Sequence, residues 1–412
     1  MRMQIRYWRH FAFCLLVTLF AGCGGHSDRH TLTRYVAVID AGSSGSRIVL
    51  YERKRDGKTL RVEQRFSDTA GQALSSFESL PADAGPKGVG PLIQALSTYL
   101  RASDLSVGDV QVHLLATAGM RLVEARNPAA ATAIYASARS YLEGTGIRPG
   151  RIETLSGVDE GLFAWLDLND LAGRLQDGAQ ATLGLIEVGG ASAQIAFATN
   201  ADDPRVVTIM ANGQSFRVLS LSWLGLGQDQ ARRSMIRGST PGAGQTANAC
   251  YPDNTGQAGG LQVFDAGIEG LLVATGRYDF TTCNALYAEV LRDQKVREVI
   301  TVPGFAESTL VGVSAVTFAL SDWQASNDPG ALGQQLQQRC TGPDAYGTQV
   351  LPFLGRTAPG NRFAQNACAN GTYVHALMFG PQGLGLRPGQ LRSEVGPGLS
   401  VNWTRGVALS DS

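Results

Sequence analysis

Two stretches of this chain look like copies of one another. Glu187 in the second stretch lies 147 positions after Asp40, the corresponding residue of the first. Each has an apolar run ending in a carboxylate, a glycine two residues later, small residues and a second apolar run. The copies are VIDAGSSGSRIVL at 38–50 and GLIEVGGASAQIAF at 184–197. This pattern predicts two β-hairpins whose tips are tight loops with few side-chain atoms.

Both loops have the composition of an anion-binding site. Backbone N–H groups in a Gly- and Ser-rich loop approach an anion closely, and serine hydroxyls add donors. A carboxylate at the strand end can hold a divalent cation that meets phosphate oxygens. One such loop alone is more simply a hairpin turn, but two that face each other would clamp a polyphosphate.

The rest of the chain mixes predicted strands and helices. Helical spacing of apolar residues predicts a helix over 91–102, and Asn127 followed by Pro128 predicts a second helix start. Strands, helices and a duplicated hairpin together predict an α/β fold of two similar domains with the site between them.

Composition limits the classes of partner. The 412 residues suffice for two domains, and 35 basic against 35 acidic side chains give no net field that would favour nucleic acid. Charged residues make up 17%, below the roughly 25% of soluble domains, so we expect a large buried core. Beyond residue 31 the histidines are His113 and His375, which argues against a His-rich metal site or a Ser-His-Asp triad.

The N-terminal segment resembles an export signal. Three arginines precede an apolar run over 11–21 that is too short to span a bilayer. The run ends in LFAGC, which resembles a bacterial lipoprotein cleavage box except that Phe20 replaces the usual leucine. We predict a signal peptide over 1–22, then a lipidated Cys23 and tether over 23–34, and an exported protein at a bacterial membrane, on its periplasmic side or at the cell surface. Ordinary secretion or an uncleaved anchor is the alternative.

Cysteine usage agrees with export. Besides Cys23 and one cysteine in the signal, four cysteines remain. The sequence has no CxxC pair, so a zinc site is not indicated. Four cysteines allow three pairings. In an oxidising compartment the nearest-neighbour pairing is the simplest, which joins Cys250 to Cys283 and Cys340 to Cys368.

Short motifs follow one another along the chain. They are DAGSSG at 40–45, ATAGMR at 116–121, GVDEG at 157–161, EVGGASAQ at 187–194, SWLGLGQDQA at 222–231, CYP at 250–252, DFTTC at 279–283, ACANGTY at 367–373 and WTRG at 403–406. In this order they resemble motifs of the nucleoside triphosphate diphosphohydrolases, the apyrase or GDA1/CD39 family. The resemblance covers nearly all of residues 35–410.

The resemblance implies the family's actin-like fold, a duplicated ribonuclease-H-like architecture with the active site in the cleft between two domains. We place the first domain at 35–165 together with 396–412, and the second at 166–395.

Carried over position by position, the resemblance also implies catalytic roles. Asp40 and Glu187 hold Mg²⁺ or Ca²⁺ through the water shell of the ion. Glu160 matches the general base, and Ser192 and Gln194 match residues that position the attacking water. Glu187 departs from the aspartate usual in the family, which bears on metal preference more than on reaction type.

Phosphate contacts are implied for backbone and small side chains on both loops and at the strand end before Arg121. These residues are Ser43, Ser44, Gly45, Thr117, Ala118, Gly119, Gly189, Gly190 and Ala191. Arg121 itself is a candidate for a phosphate or interdomain contact, with a surface ion pair as the alternative. Three aromatic residues are candidates for a nucleobase slot, Trp403, Tyr346 and Phe353, and the sequence does not choose among them; Trp403 is equally a candidate for the core.

These features predict a monomeric, metal-dependent enzyme that hydrolyses nucleoside tri- and diphosphates to monophosphate and phosphate. Phosphoryl transfer needs charge neutralisation, alignment and an oriented water more than covalent catalysis. One alternative is an exopolyphosphatase or guanosine pentaphosphatase, against which the export signal and the 222–231 motif stand. The other is a nucleotide-binding surface protein without turnover, against which Glu160, Ser192 and Gln194 stand.

Overall fold

The computed structural model describes residues 32–176, 182–239, 247–255, 262–263, 272–273, 275–356, 361–387, 389–396 and 398–410. The predicted signal peptide, lipidated Cys23 and most of the tether lie outside these residues. In the described part of the chain, no helix combines the length and apolar character that crossing a membrane would need.

The strands are β1 (Leu32–Ala41), β2 (Ser46–Asp56), β3 (Thr59–Gly71), β4 (Val110–Ala116), β5 (Arg148–Thr154), β6 (Gly184–Val188), β7 (Ser192–Ala198), β8 (Val206–Ala211), β9 (Gln214–Leu224), β10 (Ala247–Asn248), β11 (Gln262–Val263), β12 (Leu272–Val273), β13 (Thr275–Gly276), β14 (Leu310–Ser314) and β15 (Leu391–Arg392). The α-helices are α1 (Gly90–Ala102), α2 (Ala118–Arg126), α3 (Pro128–Gly144), α4 (Gly157–Leu171), α5 (Gln228–Ser239), α6 (Phe280–Arg292), α7 (Ala315–Asp322), α8 (Leu332–Cys340), α9 (Leu351–Phe353), α10 (Arg362–Phe379) and α11 (Trp403–Leu409).

The first sheet has the order β3-β2-β1-β4-β5. Strands β1 to β3 are antiparallel neighbours, whereas β4 pairs parallel with β1 and β5 parallel with β4. Helix α1 buries Leu92, Leu96 and Leu100, which lie on one face because they are four residues apart. Asn127 caps α3 by accepting a hydrogen bond from the Ala130 N–H at 3.2 Å. Both predicted helices are therefore confirmed.

The second sheet repeats this arrangement. Its order is β15-β14-β6-β7-β9-β8, in which β6, β7 and β9 are antiparallel, β14 is parallel to β6 and β15 is parallel to β14. Strand β8 is an additional antiparallel edge strand. Asp40 lies opposite Arg47 in the first hairpin, and Glu187 lies opposite Gln194 in the second. The chain therefore has the duplicated, actin-like α/β fold that the repeat predicted.

Two disulfides join elements of the second half. Cys250 bonds to Cys283 at the start of α6, with an S–S distance of 2.00 Å, and Cys340 of α8 bonds to Cys368 of α10, at 2.09 Å. All four residues are buried. The nearest-neighbour pairing is thus confirmed.

Helices α4 and α11 form a core that both sheets share. Trp165 of α4 and Trp403 of α11 are buried in one cluster with Tyr51 of the first sheet and Phe216 and Val218 of the second. The predicted domain boundary at 165/166 falls inside α4, so this helix belongs to both halves. The packing of α11 against α4 and the first sheet supports the assignment of the C-terminal segment to the first domain, and the domain limits stay a prediction.

Arg405 fixes α11 to α4 through buried ion pairs. Its guanidinium lies 2.7 Å from Asp167 and 2.5 Å from Asp170, and Asp167 also accepts a hydrogen bond from the Asn402 N–H at 2.6 Å. Removing one partner of a buried pair leaves the other charge uncompensated, at a cost of about 3–5 kcal/mol. We expect Arg405→Ala to lower the free energy of unfolding by that amount, measured by urea denaturation.

The matched control for this prediction is Arg126→Ala. Arg126 pairs with Glu78 at the surface, where an ion pair contributes at most about 1 kcal/mol. Equal effects of the two substitutions would show that the Arg405 pairs do not hold α11 in place.

Candidate active site

The two predicted phosphate loops, residues 42–45 and residues 189–191, lie against each other. A Cβ placed on Gly190 would lie 2.6 Å from the Ser43 hydroxyl oxygen, and one on Gly119 would lie 3.0 Å from the Ser43 Cα. A side chain at Gly190 or Gly119 would therefore press on Ser43. The first loop therefore sits between the second loop and the start of α2.

The start of α5 holds the second loop from behind. The Gln228 N–H donates to the Gly189 carbonyl at 2.8 Å, and the Asp229 N–H donates to the Gly190 carbonyl at 3.0 Å. The Gly225 N–H donates to the Ala191 carbonyl at 2.8 Å. The Gly189 N–H itself donates to the Ser192 carbonyl at 2.9 Å, so the N–H groups of Gly190 and Ala191 are the donors of this loop that could meet an anion.

The start of α2 supports the first loop. Thr117 joins β4 to α2 and donates its N–H to the Ala41 carbonyl at 3.2 Å, and Ala118 and Gly119 form the first turn of the helix. The Thr117 side chain does not cap the helix. N–H groups in a first helical turn have no partner within the helix and attract anions. Thr117, Ala118 and Gly119 are thus placed where a phosphate could meet them.

Four side chains form a polar network around Glu160, which lies in the first turn of α4. Gln194 Nε2 lies 3.1 Å from Glu160 Oε2, 2.6 Å from Ser192 Oγ and 3.2 Å from Ser222 Oγ. Arg121 forms an ion pair with Glu160 and donates to the hydroxyls of Ser192 and Ser222, each at 3.3 Å. The structure therefore brings together Glu160 of α4, Arg121 of α2, and Ser192 and Gln194 of β7, from three separate elements.

Burial and like charges raise the pKa of the site carboxyls. Burial raises the pKa of Glu160 to about 8; the ion pair with Arg121 opposes this increase, and the charges of Glu187 and Asp40 add to it. Burial is also the main cause of a raised pKa at Asp40 and at Glu187. Asp40 pairs with Arg47 at 3.0 Å, and Glu187 accepts a hydrogen bond from Ser314 Oγ at 3.0 Å.

The carboxylates suit a hydrated divalent cation. Glu187 Oε2 is buried and has no hydrogen-bond partner, and Asp40 and Glu187 are close enough for the charge of Asp40 to raise the pKa of Glu187. Two mutually repelling carboxylates with an unsatisfied buried oxygen fit a hard cation. Within the described ranges, no group of three or more His, Cys, Asp or Glu side chains is arranged to hold a metal directly.

The three aromatic rings predicted to stack on a nucleobase are packed against other side chains of the protein. Trp403 is only 4% exposed and Tyr346 only 1%, and each is part of a hydrophobic core. Phe353 stacks on Trp323 with ring centroids 5.8 Å apart. A ring already covered on its faces cannot stack on a base without leaving the core. These placements speak against the predicted base slot.

Several residues at the cleft were not predicted as site residues. Ser222 was recognised only as the start of a motif, and Arg47 only as part of the hairpin. Ser314 ends an apolar strand just before a helix, in the same way that Ala116 and Thr117 connect β4 to α2 in the first half. This similarity between the halves is the sequence feature that could have identified Ser314 as a site residue.

The fold and site define a two-sheet, actin-like protein with two facing Gly- and Ser-rich loops, and comparison with known proteins agrees on the fold. The profile of the GDA1/CD39 (nucleoside phosphatase) family matches residues 26–300. The chain belongs to this family. A structure described as nucleoside triphosphate hydrolases from Neospora caninum has a TM-score of 0.61 at 17% identity over 92% of both chains, a similarity that bears on the fold.

Curated relatives match part of their own length. Ectonucleoside triphosphate diphosphohydrolase 2 of Gallus gallus is 30% identical over 261 residues, 58% of this chain and 51% of the relative. The human protein of that name is 31% identical over 234 residues, 53% of this chain and 46% of the relative. The Golgi apyrase of Saccharomyces cerevisiae is 31% identical over 245 residues, 50% of this chain and 38% of the relative. The chain thus spans about half the length of the curated relatives it matches.

Proposed function

We propose that this protein hydrolyses nucleoside tri- and diphosphates to monophosphate and phosphate, using a water activated by Glu160. The observation that carries the proposal is the network of Glu160, Gln194 and Ser192 beside two facing phosphate loops. Membership of the GDA1/CD39 (nucleoside phosphatase) family and the names of the relatives support the same reaction class.

In this mechanism the terminal phosphate lies between the loops, where backbone N–H groups and the Ser43 hydroxyl bind its oxygens. Gln194 and Ser192 orient the water, and Glu160 accepts its proton as the water attacks phosphorus. The bond from phosphorus to the bridging oxygen breaks, and the nucleotide shortened by one phosphate leaves. Arg121, which pairs with Glu160 in the structure, would neutralise charge on the bound phosphate. When Mg²⁺ or Ca²⁺ is held through water by Asp40 and Glu187, it supplies further charge neutralisation at the phosphate oxygens.

The pKa of Glu160 fits a base that works only in the assembled site. Burial is the main cause of the raised pKa of Glu160, and the charges of Asp40 and Glu187 add to that increase. Neutralising those two charges lowers the pKa of Glu160 toward the range in which it accepts a proton.

We also propose export and lipid attachment at Cys23, which the sequence of the first 23 residues supports. The balanced charge gives no support to nucleic acid as a partner. A monomer is the proposed state.

Phosphate release from a panel of substrates tests the proposed reaction. Purified protein is given nucleoside tri-, di- and monophosphates, tripolyphosphate and long-chain polyphosphate. We expect release from nucleoside tri- and diphosphates and none from monophosphates. Preference for long polyphosphate would favour an exopolyphosphatase, and nucleotide binding without release would favour a catalytically silent surface protein.

We propose that the nucleobase stacks on Phe318. This residue lies one helical turn after Ser314, which touches Glu187, and its side chain is 68% exposed. An exposed aromatic ring one helical turn from a residue that contacts Glu187 suits base stacking, which contributes about 1–3 kcal/mol per base.

Phe318→Ala is therefore expected to raise KM for ATP by about 5- to 150-fold, the equivalent of that stacking energy. Hydrolysis of tripolyphosphate, which has no base, should keep its KM. Steady-state kinetics with both substrates measure the difference. Leu80→Ala, which removes an equally exposed apolar side chain in the first half, is the control. A parallel loss with both substrates would contradict base stacking.

A further inference from the structure

Ser314 adopts a backbone conformation that serine rarely takes. It has φ 57° and ψ −123°, a region in which glycine is favoured because a Cβ is crowded by the backbone. Such a conformation is unfavourable and persists where the surrounding structure enforces it, commonly at functional sites. The conformation at Ser314 therefore needs an explanation.

The side chain of Ser314 does not cap the helix that follows it, although serine is usual at such a position. Ser314 precedes the first residue of α7, where serine ordinarily accepts a hydrogen bond from a helix N–H and stabilises the helix. Ser156 does so at the start of α4, accepting from the Asp159 N–H at 3.0 Å. Ser314 makes no such bond, and its hydroxyl instead donates to Glu187 Oε1 at 3.0 Å.

Comparison of the two halves shows what the serine adds. In the parallel pair β6–β14, Ser314 lies opposite Val188, and in β1–β4, Ala116 lies opposite Ala41. Ser314 thus occupies the place of Ala116. Asp40 has Arg47 as its cross-strand partner, whereas the corresponding Gln194 is bonded to Glu160. In the second half the hydroxyl of Ser314 is the donor that holds the strand-end carboxylate.

We infer that Ser314 is a positioning residue, which holds Oε1 of Glu187 so that Oε2 faces the hydrated cation. Oε2 is the buried oxygen without a hydrogen-bond partner. Placing this hydroxyl leaves the backbone of Ser314 strained and α7 without a side-chain cap. Neither feature stabilises α7. Because Glu187 carries one methylene more than Asp40, it has one more rotatable bond for a donor to fix.

This inference rests on the proposed cation role of Glu187, so its test measures the cation without substrate. Mn²⁺ binding to nucleotide-free protein is followed by electron paramagnetic resonance for the parent, Ser314→Ala, Ser314→Gly and Glu187→Gln. Loss of a residue that orients a metal ligand typically costs 10- to 100-fold in affinity. We expect the Kd for Mn²⁺ to rise by about that factor in both Ser314 variants and binding to be lost in Glu187→Gln.

The two Ser314 variants separate positioning from backbone strain. Both lack the hydroxyl, so both should bind Mn²⁺ equally weakly, but the glycine variant should have the higher Tm because it relieves the strain. Lys295→Gly is the control: Lys295 has φ 55° away from the site, and its replacement should leave the Kd for Mn²⁺ unchanged.

A Kd within twofold of the parent in Ser314→Gly would overturn the inference, and this variant fits the backbone even if the alanine variant fails to fold. If Glu187→Gln binds Mn²⁺ like the parent, or the parent binds none at millimolar concentration, the cation role of Glu187 fails and the inference fails with it. Phosphate release measured separately shows whether the proposed reaction stands.

Discussion

Replacing Glu160 with glutamine is expected to lower kcat by about 10²- to 10⁴-fold, the usual contribution of a positioned base. Glutamine keeps the shape and can still contact Gln194 and Arg121, but it cannot accept the proton of the attacking water. Nucleotide binding should therefore be retained, because the phosphate loops are unchanged. Single-turnover phosphate release and equilibrium binding of a nucleotide measure the two quantities.

Asp159→Asn is the matched control, since Asp159 precedes Glu160 on α4 and bonds to Ser156 at the surface. It should keep kcat within about threefold of the parent. The pH profile adds a second readout. A base must be deprotonated, so the rate of the parent should rise with pH through the pKa of Glu160, and that rise should be absent in Glu160→Gln. Activity near the parental level in Glu160→Gln would reject Glu160 as the base.

Removal of divalent cations should abolish hydrolysis, with a loss of about 10³-fold or more, because a bound cation supplies several kcal/mol of charge stabilisation. Asp40 and Glu187 offer oxygen ligands, so Mg²⁺ or Ca²⁺ should restore the rate. The measurement is phosphate release in excess EDTA and after each cation is added back.

Thermal unfolding in EDTA is the control, and an unchanged Tm shows that the loss of rate is not a loss of fold. Glu187→Asp makes the second half more like the first and should change the ratio of Mg²⁺- to Ca²⁺-supported rates while turnover continues. Hydrolysis that survives excess EDTA would show that Asp40 and Glu187 do not have the role proposed for them.

Much of the fold was predictable because it depends on local patterns. Alternating apolar runs that end in a carboxylate and a glycine specify each hairpin, and their repetition predicted the duplicated architecture. Helices α1 and α3 were predictable for the same reason, from the spacing of leucines in α1 and from the Asn127 cap of α3. Nearest-neighbour disulfides followed from the short separations, 33 and 28 positions.

Contacts between side chains that are distant in the sequence could be identified only from the tertiary structure. Arg121 reaches Glu160 across 39 positions and Ser314 reaches Glu187 across 127, because helices and parallel strands bring their ends to one edge of a sheet. Aromatic residues are equally suited to a core and to a nucleobase, so their burial depends on which helices pack over them. That packing buried Trp403 between α4 and the first sheet and left Phe318 exposed. Backbone conformation comes largely from neighbouring residues, whereas these partnerships depend on contacts between elements far apart in the chain.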